Sequence, residues 1–344
     1  MSFLSPHVIT RLSRLTAPSY SLTVNSLVPN PALQDRLTSL SVTLNNGKTS
    51  DQLSLSFDDR PGLMNGGLSL PSPGLEIKVA MGYEAYKAEM GAFLVNQIGL
   101  SGSGGGRSIT VSATPDLLLR QVTRTWSDDN SINDIIGAIA AEHGLEAAVS
   151  PSFMLKKIDT MNQLNESNAA FLTRLAAHYN AVCKPMAGKL LFMEKGQGTS
   201  ATGLPMLAIP IRPHDVLQWS KQTSRRQDYT KVVAYWPELL NGSYGMVCHP
   251  SDSVSTTDDV YRLPHLYSSE EEALEAAKSK YDEINRDDDT ISLTVIGNPD
   301  ITAEGKIIIS DLRSEVDGEY IVQSATHSFS GGGYQTTVRA YVEP

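Results

Sequence analysis

The sequence predicts an α+β protein that is mainly β, in which two pseudo-equivalent β-barrel domains flank a small inserted α/β domain. Three observations support this prediction: an internal repeat, alternation of apolar and polar residues in the first and last thirds, and helical spacing in the middle. The first β-domain is expected at residues 1–115, the insert at residues 116–203 and the second β-domain at residues 204–344. A chain of 344 residues is long enough for about two or three domains.

The internal repeat is the most informative feature. Segment 91–113 reappears without a gap 227 positions later as segment 318–340, and ten of the 23 aligned pairs are identical. Each copy has the pattern of a β-hairpin, and the turn of the first copy is predicted at Ser101–Gly106. One β-unit encoded twice predicts a pseudo-symmetric molecule. The two glycine-rich tips consist of Ser103, Gly104, Gly105 and Gly106, and of Ser330, Gly331, Gly332 and Gly333.

The first third of the chain is predicted to be β structure that leads into the first hairpin. Alternation predicts strands over Leu37–Leu44, Gln52–Phe57 and Leu75–Met81, separated by turn residues. The hairpin strands follow at Gly91–Leu100 and Arg107–Ala113. This part of the chain therefore has the sequence pattern of a meandering antiparallel sheet.

The middle of the chain changes to helical spacing. Ser131 and Asp134 form a capping signal before a first helix, and Gly144 is its predicted end. A second helix is expected to begin near Ser167, followed by two short strands around a turn at Gly188. A small α/β insert is the simplest interpretation.

The last third returns to β structure after a linker-like run at residues 196–203. One helix is expected to interrupt it, beginning after Ser268 and Ser269. Leu53–Phe57 is similar in character to Ile291–Val295, so each repeat is predicted to extend upstream of its hairpin. The expected strands, besides the second hairpin, are Gln218–Ser220, Thr230–Trp236, Thr290–Ile296 and Lys306–Ile309.

Composition and charge exclude several classes of protein. A hydrophobic share of 40% and a charged share of 19% are typical of an ordinary globular chain. The net charge of -10 argues against specific nucleic-acid binding, and no apolar run approaches the roughly 20 residues that a membrane-spanning helix needs. Pro6 and His7 interrupt the segment where a signal peptide would be apolar, so folding in a cytoplasm is expected.

The sequence offers no catalytic, cofactor-binding or metal-binding residues. Cys183 and Cys248 have no partner at ligand spacing and are predicted to be buried free thiols. The glycine-rich tip at residues 102–106 is followed by a strand, whereas a phosphate-binding loop would lead into a helix. The histidines occur singly and are interpreted as structural; His327 stands where the first repeat has Leu100.

Two chemical alternatives stay open at this point. The acidic pairs Asp58-Asp59, Asp128-Asp129 and Asp258-Asp259 and the run Asp287–Asp289 are interpreted as turns and caps. Distant carboxylates could still meet in space for glycoside hydrolysis. The three tryptophans favour core or interface packing over a sugar-binding cleft; they are Trp126, Trp219 and Trp236.

Two segments carry a resemblance to a known family. In Met161–Met193, a polar run leads into a helix and then a hairpin, and this order resembles the late control D family of contractile-tail phages. Gly318–Val322 and Gly333–Thr337 are similar to the closing strand pair of that family. The matching residues of the first segment are Gln163, Asn165, Glu166, Ser167, Phe171, Leu172, Arg174, Leu175, Ala176, Gly188, Lys189 and Leu190.

This resemblance implies two tail-tube-like β-domains and a structural role at the tail tip. It implies a homotrimer that joins the tail tube protein above to the tail spike protein below, without enzymatic activity or a cofactor. Tape measure and baseplate wedge proteins are further candidate partners. Such proteins assemble in the cytoplasm of the bacterial host and belong to the virion baseplate or to an extracellular tail-like particle. The chain ends directly after the second repeat, so a separate spike protein is expected.

The repeat gives an independent reason for the same role. Two tube-like domains in each of three chains make six quasi-equivalent units, which could match a sixfold tube and a threefold spike. The two glycine-rich tips are the predicted subunit or partner contacts, and glycines that simply turn the chain are the alternative. A tail-associated cell-wall hydrolase and a carbohydrate-binding adhesin are the rival functions.

Overall fold

The protein is α+β and mainly β, as the sequence predicts. Several predicted features lie outside the described residues: the N-terminal segment with Pro6 and His7, Gly105, linker residues 197–203, and Asp258, Asp287 and Asp288. The computed structural model describes residues 17–29, 31–46, 49–60, 68–104, 106–115, 121–186, 188–196, 207–223, 229–238, 243–250, 259–267, 269–286 and 289–342.

The first β-region consists of antiparallel strands in the order β1-β4-β5-β6-β3-β2. Leu22 of the first strand and Leu40 of the last share one core, so the sheet rolls around its apolar face. The elements are β1 (Pro18–Val24), α1 (Pro31–Gln34), β2 (Leu37–Asn45), β3 (Gln52–Asp58), β4 (Glu76–Tyr83), β5 (Tyr86–Ser103) and β6 (Gly106–Thr114).

The middle region has its own core, in which α2 and α4 bury isoleucine, leucine and phenylalanine side chains against short strands. Ser131 and Asp134 form the predicted capping box, and Gly144 has a positive φ of 66° after the helix end. The elements are β7 (Gln121–Trp126), α2 (Ile132–Glu142), β8 (Glu146–Val149), α3 (Pro151–Met154), β9 (Met161–Ser167), α4 (Asn168–His178), β10 (Ala181–Met186) and β11 (Lys189–Glu194).

The last third contains more than the predicted β-region. The strand predicted at Thr230–Trp236 does not join the main sheet but belongs to a separate sheet in the order β15-β14-β16, covered by α5. Local alternation cannot tell which sheet a strand joins. The elements are β12 (Ile209–Ile211), β13 (Val216–Thr223), β14 (Lys231–Glu238), β15 (Ser243–His249), β16 (Val260–Leu266), α5 (Glu270–Arg286), β17 (Asp289–Ile296), β18 (Lys306–Ile309), β19 (Gly318–Ser330) and β20 (Gly333–Tyr341).

The two β-regions repeat one strand order, and all but the outermost strand also correspond in direction: β1 runs antiparallel to β4, whereas β12 runs parallel to β18. In the second region the order is β12-β18-β19-β20-β17-β13, so β13 corresponds to β2 and β19 corresponds to β5. The irregularities repeat as well. The register shift between Leu37 and Ser39 has its counterpart between Val216 and Gln218, and the one between Val95 and Gln97 recurs in β19. The duplication therefore extends well beyond the hairpins.

The two β-regions also share one sheet. Residues 324–330 of β19 pair with residues 39–45 of β2, which joins the two strand orders into β1-β4-β5-β6-β3-β2-β19-β20-β17-β13. We call this β2–β19 pairing the internal seam. Each half keeps its own core, because inward-facing residues on either side of the seam belong mainly to different apolar clusters.

Candidate assembly interface

The two glycine-rich tips pair at equivalent positions but differ in backbone angles, because the glycine with positive φ is Gly104 in the first tip and Gly333 in the second. Ser103 pairs with Gly106 in the first hairpin, and Ser330 pairs with Gly333 in the second. The strands continue to the last serine of each copy, so the first connection begins later than the turn predicted at Ser101–Gly106. Glycines at such tight turns relieve the strain of unusual backbone angles, as at Gly104, whose φ is 58°.

The second tip lies at the end of the internal seam, whereas the first has no such neighbour among the described residues. Ser330 pairs with Ser39 of β2, and Gly331 and Gly332 project beyond that pair. Ser103 stands at the equivalent end of β5 and pairs only with β6. One tip is therefore already part of an interface between repeats, and the other is free to form one.

Polar contacts reinforce the internal seam. The Thr43 and Thr326 hydroxyl oxygens lie 3.1 Å apart across it. Nearby, the Tyr83 hydroxyl donates to the Gly297 carbonyl at 2.8 Å, and the Tyr86 hydroxyl donates to an Asp300 carboxylate oxygen at 2.9 Å. Burial, followed by the hydrogen bond to Asp300, raises the pKa of Tyr86 to about 12. These contacts fix the two β-regions relative to one another.

His327 is fully buried on β19 beside the seam. Its Nε2 donates to the Ile301 carbonyl at 2.9 Å, because that acceptor requires a protonated nitrogen. Its Nδ1 then accepts from the Tyr334 hydroxyl at 2.8 Å. Burial lowers the pKa of His327 to about 4 despite the bond to Ile301. The neutral ring is a structural element, as the sequence predicts for this histidine.

Gln163, one of the residues that carry the family resemblance, belongs to a buried polar network in the middle region. Arg124 donates to Gln163 at 2.9 Å and to Asn168 at 2.7 Å, and it also contacts Glu142. Gln163 and Asn168 are fully buried. Burial alone would raise the pKa of Glu142, but hydrogen bonds from Arg124 and Asn168 outweigh it and the net shift is downward. This network joins β7, β9, α2 and α4.

Two ionic contacts connect the middle region to its neighbours. Lys184 of β10 is buried and donates to the Asn45 carbonyl at 2.9 Å, with an Asp51 oxygen at 3.4 Å. Lys156 contacts Glu275 of α5 at 2.7 Å. The middle region therefore contacts the main sheet through Lys184 and the region around α5 through Lys156.

The acidic clusters that fall within the described residues have structural surroundings. Arg60 holds Asp58 in a bidentate contact and lowers its pKa to about 2, chiefly through side-chain hydrogen bonds. Asp59 accepts from the Leu68 amide and lies beside Arg107. Within the described part of the chain, no group of three or more histidine, cysteine or acidic side chains is placed to hold a metal ion.

The cysteines and tryptophans differ partly from the sequence predictions. Cys183 and Cys248 are free thiols, but both residues are partly exposed rather than buried; burial of the sulfur still raises the pKa of Cys183. Trp126 lies in the middle core and Trp236 packs in the α5 cluster, whereas Trp219 is 38% exposed on β13. Among the described helices, none is long and apolar enough to span a membrane.

Sequence reasoning missed three features of the structure. It did not identify the internal seam, the polar network around Arg124 and Asn168, or the open edges of the sheet at β13 and β5. The available signal was Trp219, a large aromatic residue within the otherwise polar run from Gln218 to Thr223 of β13. A duplicated β-sheet whose two halves are joined edge to edge is the architecture of a structural protein built from repeated β-units.

Comparison with known proteins agrees with this class and supplies the family. The model of the phage tail baseplate hub (GPD) family matches residues 93–333, more than two thirds of the chain. The chain therefore belongs to the phage tail baseplate hub family, and its role is that of a structural hub in the virion tail.

Individual relatives cover nearly the whole chain. It is 25% identical to the probable baseplate hub protein of Escherichia phage 186 over 95% of this chain and 93% of the relative. It is 26% identical to that of Escherichia phage P2 over 94% and 93%. A solved tail protein of 43 kDa from prophage MuSo2 of Shewanella oneidensis has the same fold, with a TM-score of 0.73, 14% identity, and coverage of 94% and 98%.

Proposed function

We propose that three copies of this chain form a closed ring with pseudo-sixfold symmetry at the tail tip. The observation that carries the proposal is the duplication of the strand order of the β-region, including its register shifts. Two repeats in each of three subunits make six quasi-equivalent units around one axis. Residues 1–115 and 204–344 contribute these units, and residues 116–203 form the insert between them. A second insert, residues 231–286, interrupts the second unit.

The internal seam supports a ring over a single elongated subunit. It joins the two repeats of one chain edge to edge through β2 and β19. The equivalent strand edges, on β13 and β5, are unpaired among the described residues. Open edges are aggregation-prone unless another strand covers them, and ring closure removes them.

Such a ring has a mechanical use in a tail. It presents six similar units to a hexameric tail tube and three identical subunits to a trimeric spike. The expected partners are thus a second and third copy of the chain, the tail tube protein and the tail spike protein, with tape measure and wedge proteins as further neighbours. Assembly in the cytoplasm of the bacterial host, without an enzymatic step, fits this role. The glycine-rich tips are proposed to lie at these contacts.

The mass of the purified protein tests the ring. Light scattering and native mass spectrometry should give three copies of the 37.3 kDa chain, either alone or after co-expression with the spike protein of the same tail. Class averages from electron microscopy should then show a ring with three strong and six weaker repeats. A species that stays monomeric in every combination with spike and tube proteins contradicts the proposal. Lysis of purified cell walls by the isolated chain would contradict the non-enzymatic role.

A further inference from the structure

We infer that neighbouring subunits are joined by antiparallel pairing between β13 of one chain and the distal half of β5 of the next. This inference rests on the trimeric ring proposed above and adds to it the strands and their register. The internal seam is the template, because it pairs β2 with β19 and these strands are the counterparts of β13 and β5. We call the inferred pairing the external seam.

The duplication fixes the register of the external seam. β19 corresponds to β5 at an offset of 227 positions. In the first repeat, Leu40 and Val42 of β2 pair with Leu55 and Leu53 of β3. In the second repeat, Trp219 and Lys221 of β13 pair in the same way with Leu293 and Ile291 of β17. The offset between β2 and β13 is therefore 179 positions. Transferring the internal pairs Ala325–Leu44 to Ser330–Ser39 gives Ile98–Thr223, Gly99–Gln222, Leu100–Lys221, Ser101–Ser220, Gly102–Trp219 and Ser103–Gln218.

Alternate side chains of the internal seam are buried, whereas the strands of the external seam are exposed or half-exposed in the single chain, as expected when their partner is another subunit. In β2, Leu40 and Val42 are completely buried. Their counterpart strand β13 is exposed or half-exposed along its entire length, and Trp219 has an exposed fraction of 38%. On the opposite side, Leu100 is 64% exposed although its counterpart His327 is fully buried. The exposed apolar side chains thus occupy positions that are core positions in the other repeat.

The side chains of the external seam are complementary in size. Across the internal seam, Leu40 is paired with Phe329, an aliphatic residue against an aromatic one. In the transferred register, Trp219 is paired with Gly102, so the largest side chain of β13 lies opposite the residue of β5 that has none. Lys221 lies opposite Leu100, where its aliphatic stem can cover the leucine. The larger side chain of the aromatic pair lies on β19 in the internal seam and on β13 in the external seam, so the two pairs have a similar total side-chain size.

A second copy of this chain is the occupant that these edges fit. The two edges lie on different strands, so pairing is head to tail, and successive subunits form a closed ring when the rotation between them is one third of a turn. The internal seam supplies a rotation between adjacent repeats. Six repeats close around one axis when both seams rotate each repeat by about one sixth of a turn relative to the next.

Paired cysteines test the register directly. In antiparallel pairs the Cα separation falls within the range that disulfides span. The variant with Ser101→Cys and Ser220→Cys, oxidised in the trimer, should give covalent dimers and trimers on non-reducing gels. Mixing the two single variants should give dimers only. The control with Ser103→Cys and Ser220→Cys is displaced by two residues and should cross-link far less. The native chain shows how much cross-linking Cys183 and Cys248 cause by themselves.

An internal control and a distinct set of outcomes separate this inference from the ring itself. Ser41→Cys with Ser328→Cys should form a disulfide within one chain across the internal seam, without a change in mass. A trimer by mass that cross-links in the displaced register, or fails to cross-link at Ser101 and Ser220, overturns the external seam and leaves the ring standing. Absence of any trimer overturns both.

A truncation variant provides a second readout. Trp219→Ala should weaken trimer formation by about tenfold or more, since a buried aromatic residue at the centre of a contact is a typical hot spot. Leu155→Ala is the matched control, because Leu155 is even more exposed but lies in the middle region. Both variants should unfold as the native monomer does. Equal trimer affinity in the native chain and Trp219→Ala contradicts the inferred packing.

Discussion

His327 is a polar replacement for a leucine of the first repeat, and the fold provides a matched partner for each ring nitrogen. Tyr334 donates to one nitrogen and the Ile301 carbonyl accepts from the other. A hydrogen-bonded buried imidazole is tolerated only in its neutral form, since burial opposes the charge. The residue thereby becomes a source of pH-dependent stability.

Acid should therefore destabilise the folded chain through this residue. The pKa of His327 is lowered from 6.5 to about 4 in the folded state, so the unfolded chain binds the extra proton between these values. Stability is complete above about pH 6.5 and falls as the pH drops towards 4, by up to about 3 kcal/mol. Urea unfolding at several pH values measures this.

The matched control is His327→Gln, which keeps a donor and an acceptor but does not titrate in this window. It should be less stable than the native chain at neutral pH and should lose the part of the pH dependence that lies between about 6.5 and 4. An unchanged slope in the variant would show that other groups cause the acid sensitivity.

Asn168 is the central residue of the polar network in the middle region. Its side chain accepts from Arg124 and Gln163 and donates to Glu142. We expect Asn168→Ala to lower the free energy of unfolding by about 1–3 kcal/mol, because buried donors are left without an acceptor. Asn162→Ala removes an exposed amide from β9 and should cost less than about 0.5 kcal/mol. Equal effects of the two variants in denaturant unfolding would contradict the role of the network.

At the scale of elements, one buried ion pair connects the insert to the main sheet. Lys184 on β10 contacts the end of β2 through Asn45 and the start of β3 through Asp51. Asp51 also accepts from the Asn45 amide at 2.6 Å. The pair therefore links β10 of the middle region to the end of β2 and to the residue that precedes β3.

Removing one partner of this pair should be costly, and removing both should be much less so. Lys184→Met leaves a buried carboxylate and is expected to destabilise the chain by about 3–5 kcal/mol. Adding Asp51→Asn, which keeps the bond from the Asn45 amide, should recover a large part of that loss. A double-mutant cycle in urea measures the coupling. Strict additivity of the two single effects would contradict a direct contact.

At the scale of the whole molecule, the seams predict an uneven pattern of amide hydrogen exchange. Amides of β2 and β19 should exchange slowly in the monomer, because the internal seam buries them. Amides of β13 that point away from β17, and amides of residues 97–103 that point away from β6, should exchange rapidly in the monomer and slowly in the trimer. Mass spectrometry of peptides from the two states measures the difference. Fast exchange at β13 in a confirmed trimer would place the subunit contact elsewhere.

Much of the fold could be predicted from the sequence because its signals are local. The capping box at Ser131, the helix at residues 168–178 and the strands of both hairpins follow from capping chemistry and side-chain period. The buried state of Gln163 did not follow, since a polar residue in a strand gives no sign of the network that will satisfy it. The separate sheet around β14 also did not follow, because its alternation is equally compatible with the main sheet.

The sequence by itself determined that this protein contains one β-unit twice, since repetition is visible in residue identities without any structure. Only the tertiary structure decided that the two units share a sheet, which strand of each meets the other, and which edges are left open. The physical reason is that backbone hydrogen bonds between strands are the same for every residue type. Pairing partners are therefore selected by side-chain packing between residues far apart in the sequence, such as Thr43 and Thr326, which are 283 positions apart.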